Sequence, residues 1–166
     1  MKNAPRPYDD MIDSRDLVEL LEEKESEAEA LFDQWLDEIV EAERESREQR
    51  DQPFTKEDEE KFREEQYSFE EWLVQSEDEE ADELKSLRSF CEDIESSAGQ
   101  SLRDGVTIIA DSYFETYAEE LAEDVCDMKE ASQWPFSHIN WESAADELKM
   151  DYTEVTWDGN EFWVRS

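Results

Sequence analysis

The chain has 166 residues, with 51 Asp and Glu against 16 Lys and Arg and a formal net charge of −35. That surplus excludes direct binding to nucleic acid or anionic membranes, because phosphates are repelled and no basic patch recruits them. Six Trp, five Tyr and eight Phe exclude disorder over the whole length, since chains that cannot fold are poor in aromatics. The length suits one or two small domains.

Residues 1–13 contain Pro5 and Pro7 and no apolar run, and read as a flexible tail without a signal peptide. Residues 14–99 read as an acidic helical hairpin. Ser14 or Asp13 is a suitable N-cap. Leu17, Leu21, Ala28, Leu31 and Trp35 then recur at helical spacing, continued by Ile39 and Ala42 and interrupted by Lys24. Pro53 stops this helix. Thr55, with Asp58 three residues on, caps a second helix whose apolar face is Phe62, Phe69, Trp72 and Leu73. Ser76 to Glu79 is a further capping signature, where the helix breaks or restarts. Leu84, Leu87, Cys91 and Ile94 continue the stripe to Gly99, a natural C-cap.

Residues 100–166 read as a compact α+β domain. Val106 to Ile109 is a short β-prone run. Asp111 or Ser112 caps an amphipathic helix carrying Phe114, Tyr117, Ala118, Leu121 and Val125. Asn140 caps a shorter helix from Trp141 to about Met150. Tyr152–Trp157, Asp158-Gly159 and Glu161–Val164 form a hairpin signal, with Asp-Gly between two aromatic and β-branched runs. The two helices are expected to cover one side of this sheet. The fold class is therefore α+β, predominantly α: a long acidic helical N-terminal part, then a small helical domain closed by a C-terminal β-hairpin.

No catalytic constellation is visible. One histidine, His138, supports neither a triad nor a zinc site. There is no glycine-rich phosphate loop and no CxxC motif. Cys91 and Cys126 read as buried thiols rather than a disulfide. The run Glu57 to Glu60 lacks the alternation and central glycine of a calcium loop, and Asp158 to Glu161 is a turn. With 51 acids, carboxylate pairs at any chosen separation arise without meaning. The reading is of a protein that is not an enzyme and has no cofactor and no metal.

What remains is the display of acids. Ser14–Arg50 holds fourteen and Thr55–Ser97 seventeen, against ten Lys and Arg in the same stretches, a net of −21. If both stretches were continuous helices, each would reach roughly 55–65 Å, and laid side by side they would carry one net charge per roughly 3 Å of length. Duplex DNA carries one phosphate per about 1.7 Å. Glu57, Asp58, Glu59, Glu60, Glu77, Asp78, Glu79 and Glu80 are the densest runs and are candidate phosphate mimics. Salt adaptation and shielding of a basic protein, as by a histone chaperone, are the competing explanations. Helical periodicity and caps fix the positions of these acids, which favours imitation of a duplex over loose neutralisation.

The second half adds a resemblance. Asp111-Ser-Tyr-Phe-Glu-Thr-Tyr-Ala-Glu-Glu-Leu-Ala-Glu-Asp-Val125 is followed by Trp134-Pro-Phe-Ser-His-Ile-Asn-Trp-Glu-Ser-Ala-Ala-Asp-Glu-Leu148, Asp151-Tyr152 and Phe162-Trp-Val-Arg165. This order resembles the C-terminal part of ArdA-like antirestriction proteins of phages, plasmids and transposons, over about 60 of the 166 residues. Residues 1–100 depart from that family's N-terminal part, which is less helical. The resemblance implies a DNA mimic that occupies the DNA groove of type I restriction enzymes. The acids it carries over are Glu119, Glu120, Glu123, Asp124, Asp127, Glu142, Asp146, Glu147 and Asp151.

The expectation is a non-enzymatic anti-defence inhibitor from a phage or mobile element, acting in the host cytoplasm. Its partner is a basic DNA-binding protein: a restriction enzyme, another nuclease such as a CRISPR effector, or a nucleoid protein. It contacts neither nucleic acid nor membrane. The narrow seam around Leu31 and Trp35 is compatible with a homodimer. The alternative is an acidic binding module or chaperone that shields a basic protein without copying DNA geometry.

Overall fold

A computed structural model describes residues 4–65, 68–126, 134 and 136–165. The fold is α+β and predominantly α, with six α-helices and one four-stranded antiparallel sheet among the described residues. Two units are distinguishable, Met1–Leu21 with Ser86–Ser166, and Glu22–Lys85. The expected boundaries at residues 14 and 100 are thus displaced, because each unit takes part of both long helices.

In the first unit the sheet has the order β1-β2-β4-β3, with β1 Met11–Asp13, β2 Thr107–Ala110, β3 Tyr152–Trp157 and β4 Asn160–Arg165. The hairpin turns at Asp158 and Gly159, both at positive φ (46° and 79°). Two such residues are what a two-residue turn matching the strand twist requires. Val155 pairs with Phe162, and Ile108 with both Ile12 and Val164. These side chains share one face of the sheet. They pack with Leu17 of α1 (Ser14–Gln49) and with Leu87, Phe90, Cys91 and Ile94 of α4 (Glu79–Ala98). On the other face Ile109 packs with Phe114 and Ala118 of α5 (Phe114–Cys126) and Ala145 of α6 (Trp141–Leu148). The two expected covering helices are in place, and the sheet has a second helical cover that the sequence pattern did not reveal.

Part of the expected tail is structured. Met11–Asp13 pairs with Thr107–Ile109 as an edge strand, and Ile12 is buried. Asp13 caps α1, its Oδ1 accepting from the Arg15 N–H at 3.0 Å. Ser14, the alternative cap, is used elsewhere. It is fully buried; its hydroxyl donates to the Leu102 carbonyl (2.6 Å) and accepts from the Val106 N–H (2.7 Å). Ser14→Ala removes both bonds and leaves the Val106 N–H without its acceptor, while the Leu102 carbonyl keeps only the longer bond from the Gly105 N–H (3.3 Å), at a cost of about 1–3 kcal/mol. Denaturant unfolding will show this as a lower midpoint with unchanged slope; an unchanged midpoint contradicts the role given to Ser14.

Cys91 is a buried free thiol whose pKa burial pushes up to about 12. The side chain of Cys126 lies outside the described residues.

The second unit holds α1 from Glu22 onward, α2 (Lys56–Glu65), α3 (Phe69–Gln75) and the first turns of α4. A Schellman-type end closes α1: Asp51 sits at φ 57° and the Gln52 N–H donates to the Arg47 carbonyl at 2.9 Å. The apolar stripe of α1 is turned from the expected one. Ala28, Leu36 and Val40 are buried, Leu31, Trp35 and Ile39 are half-buried, and Ala42 is exposed. Lys24, which broke the stripe, pairs with Glu27 (3.0 Å) and with Glu83 of α4 (2.7 Å).

The expected second long helix is three helices of 10, 7 and 20 residues. One reason is Ser68, which forms a capping box with Glu71 and starts α3. Another is Ser76, whose extended backbone ends α3 before α4 begins. Among the described residues the 36-residue α1 is the longest helix. The aromatic rings of Phe32, Trp35, Phe69 and Trp72 join α1 to α3, with centroids 5.7–5.9 Å apart. No residue of α2 is buried. It is held by Phe54 against Phe62 and by ion pairs from Arg44 to Glu59 (2.7 Å) and from Arg63 to Asp37 (2.5 Å).

Candidate partner-binding surface

The acids named from the sequence fall into two sets, one in each unit. In the first unit Glu120, Glu123, Asp124, Glu142, Asp146, Glu147 and Asp151 are exposed, and Glu119 is half-buried. They follow from amphipathicity: α5 and α6 turn their apolar faces to Ile109 and Trp163, so their acids lie around the remainder. Glu120 accepts from the Tyr113 hydroxyl at 2.8 Å. Asp127 lies outside the described residues.

Asp111, on the same sheet face, is not part of an acid display. It accepts from Lys149 Nζ and from the Trp163 indole N–H (2.8 Å), which hold its carboxyl below the ordinary value of 3.8.

In the second unit the eight named acids divide by role. Glu57, Glu60, Glu77, Asp78, Glu79 and Glu80 are exposed. Asp58 and Glu59 are committed to the fold. Asp58 accepts from the Thr55 hydroxyl and N–H, which lower its pKa. Glu59 pairs with Arg44 and Arg63. In these two, part of the bonding capacity is taken up at a cap and at a helix–helix joint.

This unit carries 27 acids and 8 bases over residues 22–85, a net of −19, and the rest of the chain −16. Its bases are largely spent internally. Lys24, Arg44, Arg47, Arg63 and Lys85 all pair with acids of the unit. Some of these pairs join helices, as Lys24–Glu83, Arg44–Glu59 and Arg63–Asp37 do, and others lie within one helix, as Arg47–Glu43 and Lys85–Asp82 do.

The structure also shows a row that the sequence reading counted but did not single out. Glu29, Asp33, Asp37, Glu41 and Glu45 are exposed at four-residue spacing along α1, about 6 Å apart along the axis. With Glu38 and Glu48, also exposed, α1 presents one outer carboxylate per about 4 Å over residues 29–48. One strand of duplex DNA presents a phosphate per about 3.4 Å. Arg63 and Arg44 partly neutralise Asp37 and Glu41. The four-residue acid period was present in the sequence and would have disclosed the row.

Two charge effects oppose each other as pH falls. Approach to the isoelectric point near 4.1 relieves the self-repulsion. Asp58, Glu71 and Asp111 act the other way, because each has a folded pKa below its ordinary value. The stability they contribute is complete above that ordinary value, near 4, and is lost as pH falls through the lower folded value. The melting temperature at fixed ionic strength will rise from pH 7 to about 5 and fall again below about 4. At pH 7 it will rise with moderate salt. A monotonic fall from pH 7, measured by calorimetry, contradicts this balance.

Among the described residues no His, Cys, Asp and Glu group is arranged to hold a metal ion, and no helix is long and apolar enough to cross a membrane. His138 is exposed in a one-turn helix, Phe136–His138. Comparisons with protein-family models, with curated proteins and with solved structures found no match to this chain.

Proposed function

We propose that this chain is a non-enzymatic DNA mimic that occupies the cationic DNA groove of a host defence protein and excludes DNA by competition. The observation that carries the reading is the acid row of α1. Like charges at four-residue spacing each destabilise a helix by roughly 0.2–0.5 kcal/mol. A helix that only needed solubility would intersperse bases, as the α1 end near Arg44 and Arg47 does. Repeating the cost over the turns from Glu29 to Asp37, ahead of that basic end, is what display of a regular anionic edge requires. The C-terminal resemblance to ArdA-like antirestriction proteins agrees with the same chemistry and points to a restriction enzyme as the partner. The phage or mobile-element source and the host cytoplasm belong to the same proposal.

The break-up of the second acidic stretch into short helices favours a narrower version of the mimic. The regular edge is α1, and the acids of Glu57–Glu60 and Glu77–Glu80 follow it in sequence on separate helices rather than forming a second long rail. The alternative, charge shielding without DNA geometry, rests on net charge alone and is separated by placement. Moving acids along α1 at constant net charge weakens a mimic and leaves a shield unchanged.

The test is DNA cleavage by a type I restriction enzyme, and by a panel of other defence nucleases, with increasing amounts of purified chain. Inhibition is expected for at least one enzyme, relieved by excess duplex and steeply by salt. Unimpeded cleavage across the panel contradicts the proposal.

A further inference from the structure

Within the second unit a cavity of about 440 Å³ is lined by Trp35, Trp72, Gln75, Ser76, Glu77 and Asp78. Its size falls in the range of sites that hold small groups. Its walls combine two chemistries. Trp35 of α1 and Trp72 of α3 supply indole surface, backed by Phe32 and Phe69. The connection from α3 to α4 supplies the acids. Asp78 is fixed in place: its Oδ2 accepts from the Ser76 hydroxyl at 2.8 Å, and its own N–H donates back to that oxygen at 3.2 Å. Neither Glu77 nor Asp78 enters an ion pair among the described residues, whereas Asp37, Glu59, Asp82 and Glu83 in this unit all do. Lys85, whose Nζ reaches the Ser76 carbonyl at 2.9 Å, also pairs with Asp82 (2.6 Å).

An indole-lined hollow rimmed by unmatched carboxylates selects a cation with flat faces. Tryptophan is the best aromatic partner for a cation, and guanidinium combines charge, planarity and weak hydration. The same unit already seats arginine on an aromatic ring, with the Arg47 guanidinium 4.9 Å from the Phe54 centroid. We propose that the Trp35–Trp72 cavity receives an arginine side chain from the basic partner, with Glu77 and Asp78 closing on the guanidinium. This rests on the decoy reading for the source of the arginine. It adds a short-range anchor to a surface that otherwise binds by long-range charge, and so gives register and specificity.

The probe is a blocked Gly-Arg-Gly peptide titrated into the ¹⁵N-labelled full chain, with the citrulline peptide as its neutral isostere. The indole N–H signals are assigned with Trp35→Phe and Trp72→Phe. The arginine peptide will shift both indole signals and the amides of Gln75 to Asp78, and the citrulline peptide will not. Glu77→Gln will weaken the arginine peptide about two- to fivefold, the scale of one exposed cation contact. Glu29→Gln, the same charge change on α1, will not. Equal response to both peptides, shifts confined to other acids, or equal loss in the two variants overturns the cavity. Because no DNA competitor takes part, any of those results leaves the nuclease test standing, and uninhibited nucleases leave the peptide result standing.

Discussion

Reversing Glu29, Asp33, Glu45 and Glu48 to lysine will abolish partner binding while the protein stays folded. All four are exposed on α1. Each reversal replaces an attraction to a cationic groove by a repulsion, and four together exceed the near-neutral effect of one exposed pair. The expected loss is at least about thirtyfold, with the slope of log affinity against log salt reduced by about one per contact removed. Single Glu29→Gln will change affinity by less than about fivefold. The folded state predicts the opposite sign for stability. The reversals at 29 and 33 face Glu25 and Asp37 with opposite charge, while the pairs 29/33 and 45/48 stay like-charged with the sign inverted. The change also removes eight units from a net charge of −35 and relieves self-repulsion, so the melting temperature will hold or rise. Retained inhibition in a folded quadruple variant removes α1 from the interface.

Phe90→Ala has the largest expected effect on the fold. Phe90 is 1% exposed and stacks on Trp157 at 5.0 Å, with Phe162 at 5.6 Å. Through it α4 meets both strands of the C-terminal hairpin, within the cluster that also holds Leu87, Cys91 and Ile94. Truncation removes the ring and leaves a cavity between two aromatics that cannot collapse into it, at a cost of about 3–5 kcal/mol. For a domain of this length that is a fall of roughly 10–20 °C in melting temperature. Calorimetry reads it directly; a fall of only a degree or two contradicts the packing of α4 on the sheet.

Much of the fold was legible where local chemistry is decisive. Asp158-Gly159 specifies its turn through two positive φ values, Asn140 caps α6 with its own side chain, and Pro53 stands just beyond the end of α1. What was hidden depends on distant partners. A three-residue strand at Met11–Asp13 has no period to detect, and becomes one only because β2 offers it an edge. Ser14 looks like a cap until Leu102 and Val106, about ninety residues on, claim its hydroxyl. The same holds for the acids. Asp58 and Glu59 stand in one run with Glu57 and Glu60. Only the arrival of Arg44 from α1, and of Thr55 at the cap, separates structural carboxylates from outward ones. The row on α1 was legible, because its four-residue period needs nothing beyond the helix itself.

DNA mimicry requires mutual exclusion between this chain and DNA on one groove. The direct measurement takes a defence protein that the chain inhibits, loads it with fluorescent duplex, and titrates in the acidic chain while anisotropy reports bound DNA. Complete displacement is predicted, with a midpoint that rises in proportion to duplex concentration. A ternary complex, in which the chain binds and the duplex stays, contradicts mimicry.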